Sequence, residues 1–269
     1  MPTKIRKVVY KIIGNMDKSK ILCTTHQMDN FYIQFAKGQI KESGVMNYIQ
    51  HLVAALMPKK NAIILDVCCG RSMILPLLKY HGNRIKKYIG LDISGENLKE
   101  AQTYIDCDFE CEWIQANVVN LSKSSQSFKN KRVDFIIYTS SLEHMHPEDG
   151  IKSLRECFKV LRKNGLMLLS TPNNYNGGYN TRYKAHIYEW NYEELKRYLK
   201  QIGFKIQDGF GVMADSEKDF KGEFLKKYGR RGWKYYQDIK KYIPSIFLTS
   251  FIAVPFPKIS KEILFLLRK

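Results

Sequence analysis

No apolar run in this 269-residue chain reaches the ~20 residues that a bilayer-spanning helix requires. A secretory leader is not expected either, because Lys11 interrupts the partly apolar start and no small-residue cleavage site follows. The six cysteines form no spaced framework: Cys68 and Cys69 are adjacent, and Cys23 and Cys157 are isolated. Cys107 and Cys111 have only the distant His81 to join them, so no zinc site is expected. Reduced thiols and a cytoplasmic location follow as expectations. Acidic residues are scarce, 26 against 44 Lys+Arg, which leaves a formal net charge of +18. That imbalance favours anionic partners such as nucleic acid, an acidic membrane surface or a phosphorylated substrate. Lysine is nevertheless spread along the whole chain. Internal repeats and low-complexity linkers are absent, and 44% hydrophobic content supports one large core with additions.

What is present is concentrated at residues 63–72, Ile-Ile-Leu-Asp-Val-Cys-Cys-Gly-Arg-Ser. A buried-strand pattern ends at Asp66, Gly70 marks a tight turn, and a helical pattern over 73–80 follows. Glycine lets backbone approach a ligand, and a helix start offers free N–H groups. A second apolar run, 87–92, ends in Asp92, about 20 residues beyond the turn, where a carboxylate suits two ribose hydroxyls. Cys68 and Ser72 stand where a dinucleotide fingerprint would carry glycines, which argues against pyrophosphate binding.

Strands and helices then alternate, over 95–105, 111–115, 133–138, 149–161 and 165–170. The pattern predicts an α/β fold, a doubly wound, Rossmann-like, seven-stranded and mostly parallel sheet with helices on both faces. An amphipathic helix from Tyr192 stops at Gly203, and a sixth strand runs from Phe204 to Val212. Four regions are expected: an N-terminal helical cap (1–58), a core (59–212), an insertion (213–260) and a final strand (261–269).

The ordered set of segments resembles the class I S-adenosylmethionine-dependent methyltransferases. Cys111–Asn117 looks like that family's third strand and adenine contacts, and Val133–His144 like its fourth strand and active-site loop. Leu161–Asn173 looks like its turn and fifth strand. The resemblance implies S-adenosyl-L-methionine as methyl donor, held by Asp66, Cys68, Gly70, Asp92, Ile93, Asn117, Val118 and Ser140. It places the final strand antiparallel beside the sixth. A similar Leu-Glu-His triplet occurs in small-molecule O-methyltransferases, which makes Glu143 and His144 the catalytic candidates, with His144 as base toward a hydroxyl.

Two other chemistries are disfavoured. The loop Thr139-Ser140-Ser141-Leu142 has no proline, unlike base-amino methyltransferases of DNA, and no nucleophilic cysteine for cytosine C5 lies near it. Glu143, His144, His146 and His186 resemble part of the metal set of small-RNA 3′-end methyltransferases, but Ser140 replaces one acid, and no metal is expected. Residues 220–242 interleave Lys and Arg with aromatics, and 243–257 are apolar. This tail suits single-stranded RNA, peripheral contact with an anionic membrane, or a lid packed on the domain. The expected acceptor is a small or lipid-like metabolite, with RNA as the alternative and a non-catalytic cofactor-binding module as the second.

Overall fold

The computed structural model describes residues 42–269 except 105, 126, 127, 129–132, 180–183 and 215. The chain divides into two compact units, 1–44 and 45–269. Residues 1–41 of the expected helical cap lie outside the described residues.

Four largely apolar runs and the more polar edge segment Glu110–Gln115 form the parallel strands β1 (Ile63–Val67), β2 (Lys87–Asp92), β3 (Glu110–Gln115), β4 (Val133–Thr139) and β5 (Leu161–Pro172). The chain later returns as β8 (Lys205–Ala214) and β9 (Ser260–Arg268), and a separate two-residue ladder pairs β6 (Gly178–Tyr179) with β7 (Tyr188–Glu189). The seven-stranded order is β3-β2-β1-β4-β5-β9-β8, with β9 antiparallel to both neighbours. This is the predicted sheet, including its reversed last strand.

Alternate residues of each strand feed opposite layers. Leu65, Val67, Ile136 and Tyr138 join one core with α5 (Pro147–Val160) and α6 (Tyr192–Ile202). Ile64, Phe135 and Ile137 join another with α1 (Glu42–Leu56) and α2 (Leu75–Tyr80). Burial on both faces is why these strands read as continuous apolar runs rather than alternating ones. Helix α3 (Gly95–Tyr104) packs on β2 and β3, and the single turn α4 (Leu121–Ser124) packs on α5.

The helix ends follow local chemistry. Asn191 caps α6 by accepting from the N–H groups of Glu193 and Glu194, and Gly203 closes it at φ 113°. Helix α5 starts at Pro147, two residues before the predicted 149, because proline is suited to the first helical position. The turn expected ahead of the fifth strand lies within β5, where the pairing with β4 shifts register between Leu161 and Leu166; Asn164 takes a left-handed conformation there and its N–H donates to the Lys269 carbonyl.

Between β8 and β9 lie α7 (Glu217–Ile239), bent at Gly229 where φ is 67°, and α8 (Ser245–Ala253). Strand β8 runs parallel to β5, since both are antiparallel to β9. The segment therefore leaves and re-enters at the carboxyl edge of the parallel strands, the edge where open α/β sheets bind ligands.

Candidate active site

The turn after β1 carries three left-handed residues, Cys68, Gly70 and Ser72, with φ of 56°, 53° and 55°. Two positions that departed from the glycine pattern thus keep the backbone shape glycine would supply. Each non-glycine costs roughly 1–2 kcal/mol in that conformation. Ser72 is held by burial, and its hydroxyl oxygen lies 2.9 Å from Tyr88 Oη. Tyr88 donates to Asp66 Oδ2 at 2.6 Å. Burial pushes the Asp66 carboxyl up to about 7; the Tyr88 hydrogen bond opposes this and the charge of Asp92 adds to it.

Asp92 joins the two acid-ended strands. Its Oδ2 accepts from Gly70 N–H at 2.8 Å and its Oδ1 from Ser94 N–H at 2.8 Å. Beside it opens a cleft of about 400 Å³, the size range of small-ligand sites. Cys68, Asp92, Ile93, Asn117 and Val118 line it, as does His144. Ile93 is 67% exposed although aliphatic, an apolar face turned to the cleft. The Asn117 side chain caps a short turn by accepting from Val119 N–H at 3.1 Å. Burial pushes the Cys68 thiol up to about 12, so it is a poor nucleophile near neutrality.

Four expected residues lie outside the cleft wall. Asp66 and Gly70 stand beneath and at the turn. The Ser140 hydroxyl, at φ 47°, donates to Gln50 Oε1 at 2.9 Å, which also accepts from Ser170 Oγ at 2.9 Å. Glu143 is buried behind His144, and its Oε2 accepts from Thr171 Oγ1 at 3.0 Å. Burial raises its carboxyl above the usual range. Met145, Asp149 and Ile187 also line the wall and were not singled out from the sequence, while His146, which lines it too, had entered only as a member of the metal set. Only the His186–Trp190 segment carried a signal, its spacing ahead of α6.

His144 has a defined orientation. Its Nδ1 lies 2.7 Å from the carbonyl oxygen of Ala185, a contact that requires Nδ1 to donate. In the neutral ring Nε2 is then left with its lone pair, 3.9 Å from Glu143 Oε1. The segment after residue 184 is fastened to this loop again by Ile187 N–H donating to Glu143 O at 2.7 Å. His186 Nδ1 lies 2.6 Å from Glu189 Oε1, and its ring meets His144 edge-on at 5.2 Å between centroids. One ligand atom each from Glu143, His144 and His186 falls within 4.8 Å of the others, a grouping that could hold a divalent ion. His146 lies instead against Tyr179, 6.4 Å between ring centroids.

Comparison with known proteins gives four matches. A family described as "Methyltransferase domain" matches residues 42–208. A "Probable S-adenosylmethionine-dependent methyltransferase" of Mycolicibacterium smegmatis is 36% identical over 83 residues, 30% of this chain. That match spans 32% of the relative, about a third of its length. Among solved structures, a SAM dependent methyltransferase from Archaeoglobus fulgidus superposes with a TM-score of 0.53 at 16% identity, covering 89% of this chain and 99% of that one. The small RNA methyltransferase HEN1 does so at 0.55 and 13%, covering 84% of this chain and 25% of that one. Likeness at such identities is likeness of fold.

Proposed function

The chain belongs to the class I S-adenosylmethionine-dependent methyltransferases, and on that premise we propose that it methylates a hydroxyl oxygen of a small or lipid-like metabolite. S-adenosylmethionine is the methyl donor. The donor brings its own leaving group, so the protein's task is to align the acceptor and remove its proton. Asp66 faces the cationic methionine end, Asp92 takes the ribose hydroxyls, and Ile93, Asn117 and Val118 cover the adenine, with Cys68, Gly70 and Ser140 shaping the loops. His144 Nε2 takes the hydroxyl proton while the oxygen attacks the sulfonium methyl. The carbon–sulfur bond breaks, and S-adenosylhomocysteine and the methyl ether leave. Glu143 stays behind the imidazole and stabilises the imidazolium that forms.

The observation that carries this reading is the His144 Nδ1 contact with Ala185 O, which leaves Nε2 as the proton acceptor of a side chain that lines the cleft. The insertion at 213–260 selects the acceptor, and 261–269 completes the core. RNA is the second reading, favoured by the Glu143, His144 and His186 grouping and by the exposed bases of α7. The neighbour HEN1 is a small RNA methyltransferase by description. Methyl-labelled donor supplied with cell fractions separates the two. Label in lipid or small-metabolite fractions, lost in His144→Ala, supports the proposal. Label in RNA that requires an added divalent ion overturns it.

A further inference from the structure

Helices α7 and α8 build a core of their own, from Phe220, Phe224, Tyr236, Leu248, Ala253 and Phe256. Trp233 stacks on Tyr236 at 5.0 Å within it. That fixes which face of α8 points inward. Its outward face is also apolar: Phe247 is 43% exposed, Phe251 73% and Val254 47%. These fall at i, i+4 and i+7, one stripe on a helix, with Ile243 and Tyr242 exposed one turn before. Helix α8 contains no charged residue. A helix apolar on both faces belongs in a buried place, yet half of this one faces outward.

The flank of this stripe is cationic. Lys226, Lys227, Arg230, Arg231 and Lys234 are exposed on α7. No salt bridge among the described residues involves any of them. Lys227 Nζ lies 5.4 Å from the Phe256 ring, which puts the basic helix against the segment that follows α8, two residues beyond Val254. Apolar side chains beside exposed cations that lack a salt bridge complement an anionic bilayer. There the aromatics enter the acyl boundary and the bases meet lipid phosphates. Nucleic acid fits less well, because α8 offers neither cations nor hydrogen-bond donors on its outer stripe.

We propose that Ile243, Phe247, Phe251 and Val254, flanked by the bases of α7, form a docking surface for anionic membranes. The segment leaves and re-enters the sheet at the edge that carries the cleft, so docking brings a bilayer-borne acceptor toward His144. That last step rests on the lipid-like acceptor proposed above; the docking itself does not.

The test is sedimentation of the full chain with phosphatidylcholine vesicles, alone or mixed with phosphatidylglycerol. The native chain should bind the mixed vesicles, bind neutral ones weakly, and release as salt rises. Phe247→Ser with Phe251→Ser should lower binding by about tenfold or more. Arg230→Glu with Arg231→Glu should lower it by at least about fivefold per charge. Both variants should keep their affinity for S-adenosylmethionine, which also shows that they fold. Failure of the native chain to prefer anionic vesicles overturns the proposal whatever the variants do. So does binding of single-stranded RNA, or a dimer abolished by Phe251→Ser, without vesicle binding. Vesicle binding without label in any lipid fraction would leave docking standing and remove the lipid acceptor; lipid labelling without vesicle binding would do the reverse.

Discussion

Tyr88 and Asp66, on neighbouring parallel strands, share a 2.6 Å hydrogen bond out of reach of solvent. The phenol holds the carboxyl beneath the Gly70 turn, while burial keeps its pKa near 7 rather than at the ordinary 3.8. Two pH dependences of opposite sign follow.

The cationic end of S-adenosylmethionine favours an ionised Asp66, so binding below about pH 7 expels a proton. Affinity should rise about tenfold per pH unit up to about 7 and then level off. Stability of the free protein runs the other way. A folded-state pKa above the unfolded one stabilises the fold at low pH, and that contribution is lost as pH rises through about 7. Calorimetry across this range in two buffers of different ionisation heat measures the proton. Asp66→Asn should flatten the binding profile, and Tyr88→Phe should move its midpoint up. A flat native profile removes Asp66 from the cofactor's cationic end.

Asp92→Ala should weaken S-adenosylmethionine binding by about 1.5–3 kcal/mol, the range for hydrogen bonds to a charged group. It also frees the Gly70 and Ser94 N–H groups, so the turn itself loses a brace. Unchanged affinity by calorimetry would falsify the ribose assignment.

His144→Ala should lower turnover by roughly 10²–10⁴ with cofactor affinity nearly intact. Thr171→Val tests the support behind it, since Thr171 donates to Glu143 at 3.0 Å. That variant should shift the pH–rate profile while leaving the donor's affinity alone. A fully active His144→Ala chain makes the imidazole a clamp on the 184–190 segment and nothing more.

Much of the fold was legible because doubly buried parallel strands leave an unmistakable trace, apolar runs such as 63–67 and 87–92 with acids at their carboxyl ends. Gly203 announced a helix stop, and Leu264–Leu267 announced a final buried strand. What was not legible depends on distance in sequence. Gln50 meets Ser140 and Ser170 across 90 and 120 residues. His144 is oriented by a carbonyl 41 residues away. Cys68 and Ser72 looked like losses from a glycine motif, and only the backbone shows that both keep its left-handed geometry. The basic-aromatic run at 220–242 carries too many aromatics and too central a glycine, Gly229, to read as a helix. It is helical on either side of a break at Gly229, because Phe220 and Phe224 from the first half and Tyr236 from the second bury their rings in one cluster with Leu248 and Ala253 of α8.

Gly211 is the hinge of the last prediction, because it lets α8 lie against β8. A Cβ there would meet Ser260 Cβ at 2.5 Å and the Ala253 carbonyl oxygen at 2.6 Å, and neither neighbour can swing away. Gly211→Ala should therefore cost about 1–3 kcal/mol, the penalty for overpacking. Displacing α8 should also raise the acceptor KM while the donor's affinity stays put. Gly222, in the first half of α7, is the paired control. It has nothing within 4 Å of its added Cβ and a helical backbone, so Gly222→Ala should stabilise by about 0.4–1 kcal/mol. Thermal melts of the two variants read both signs. A Gly211→Ala chain that melts like the native one would mean α8 is loosely seated, and would leave 213–260 without a fixed surface for choosing an acceptor.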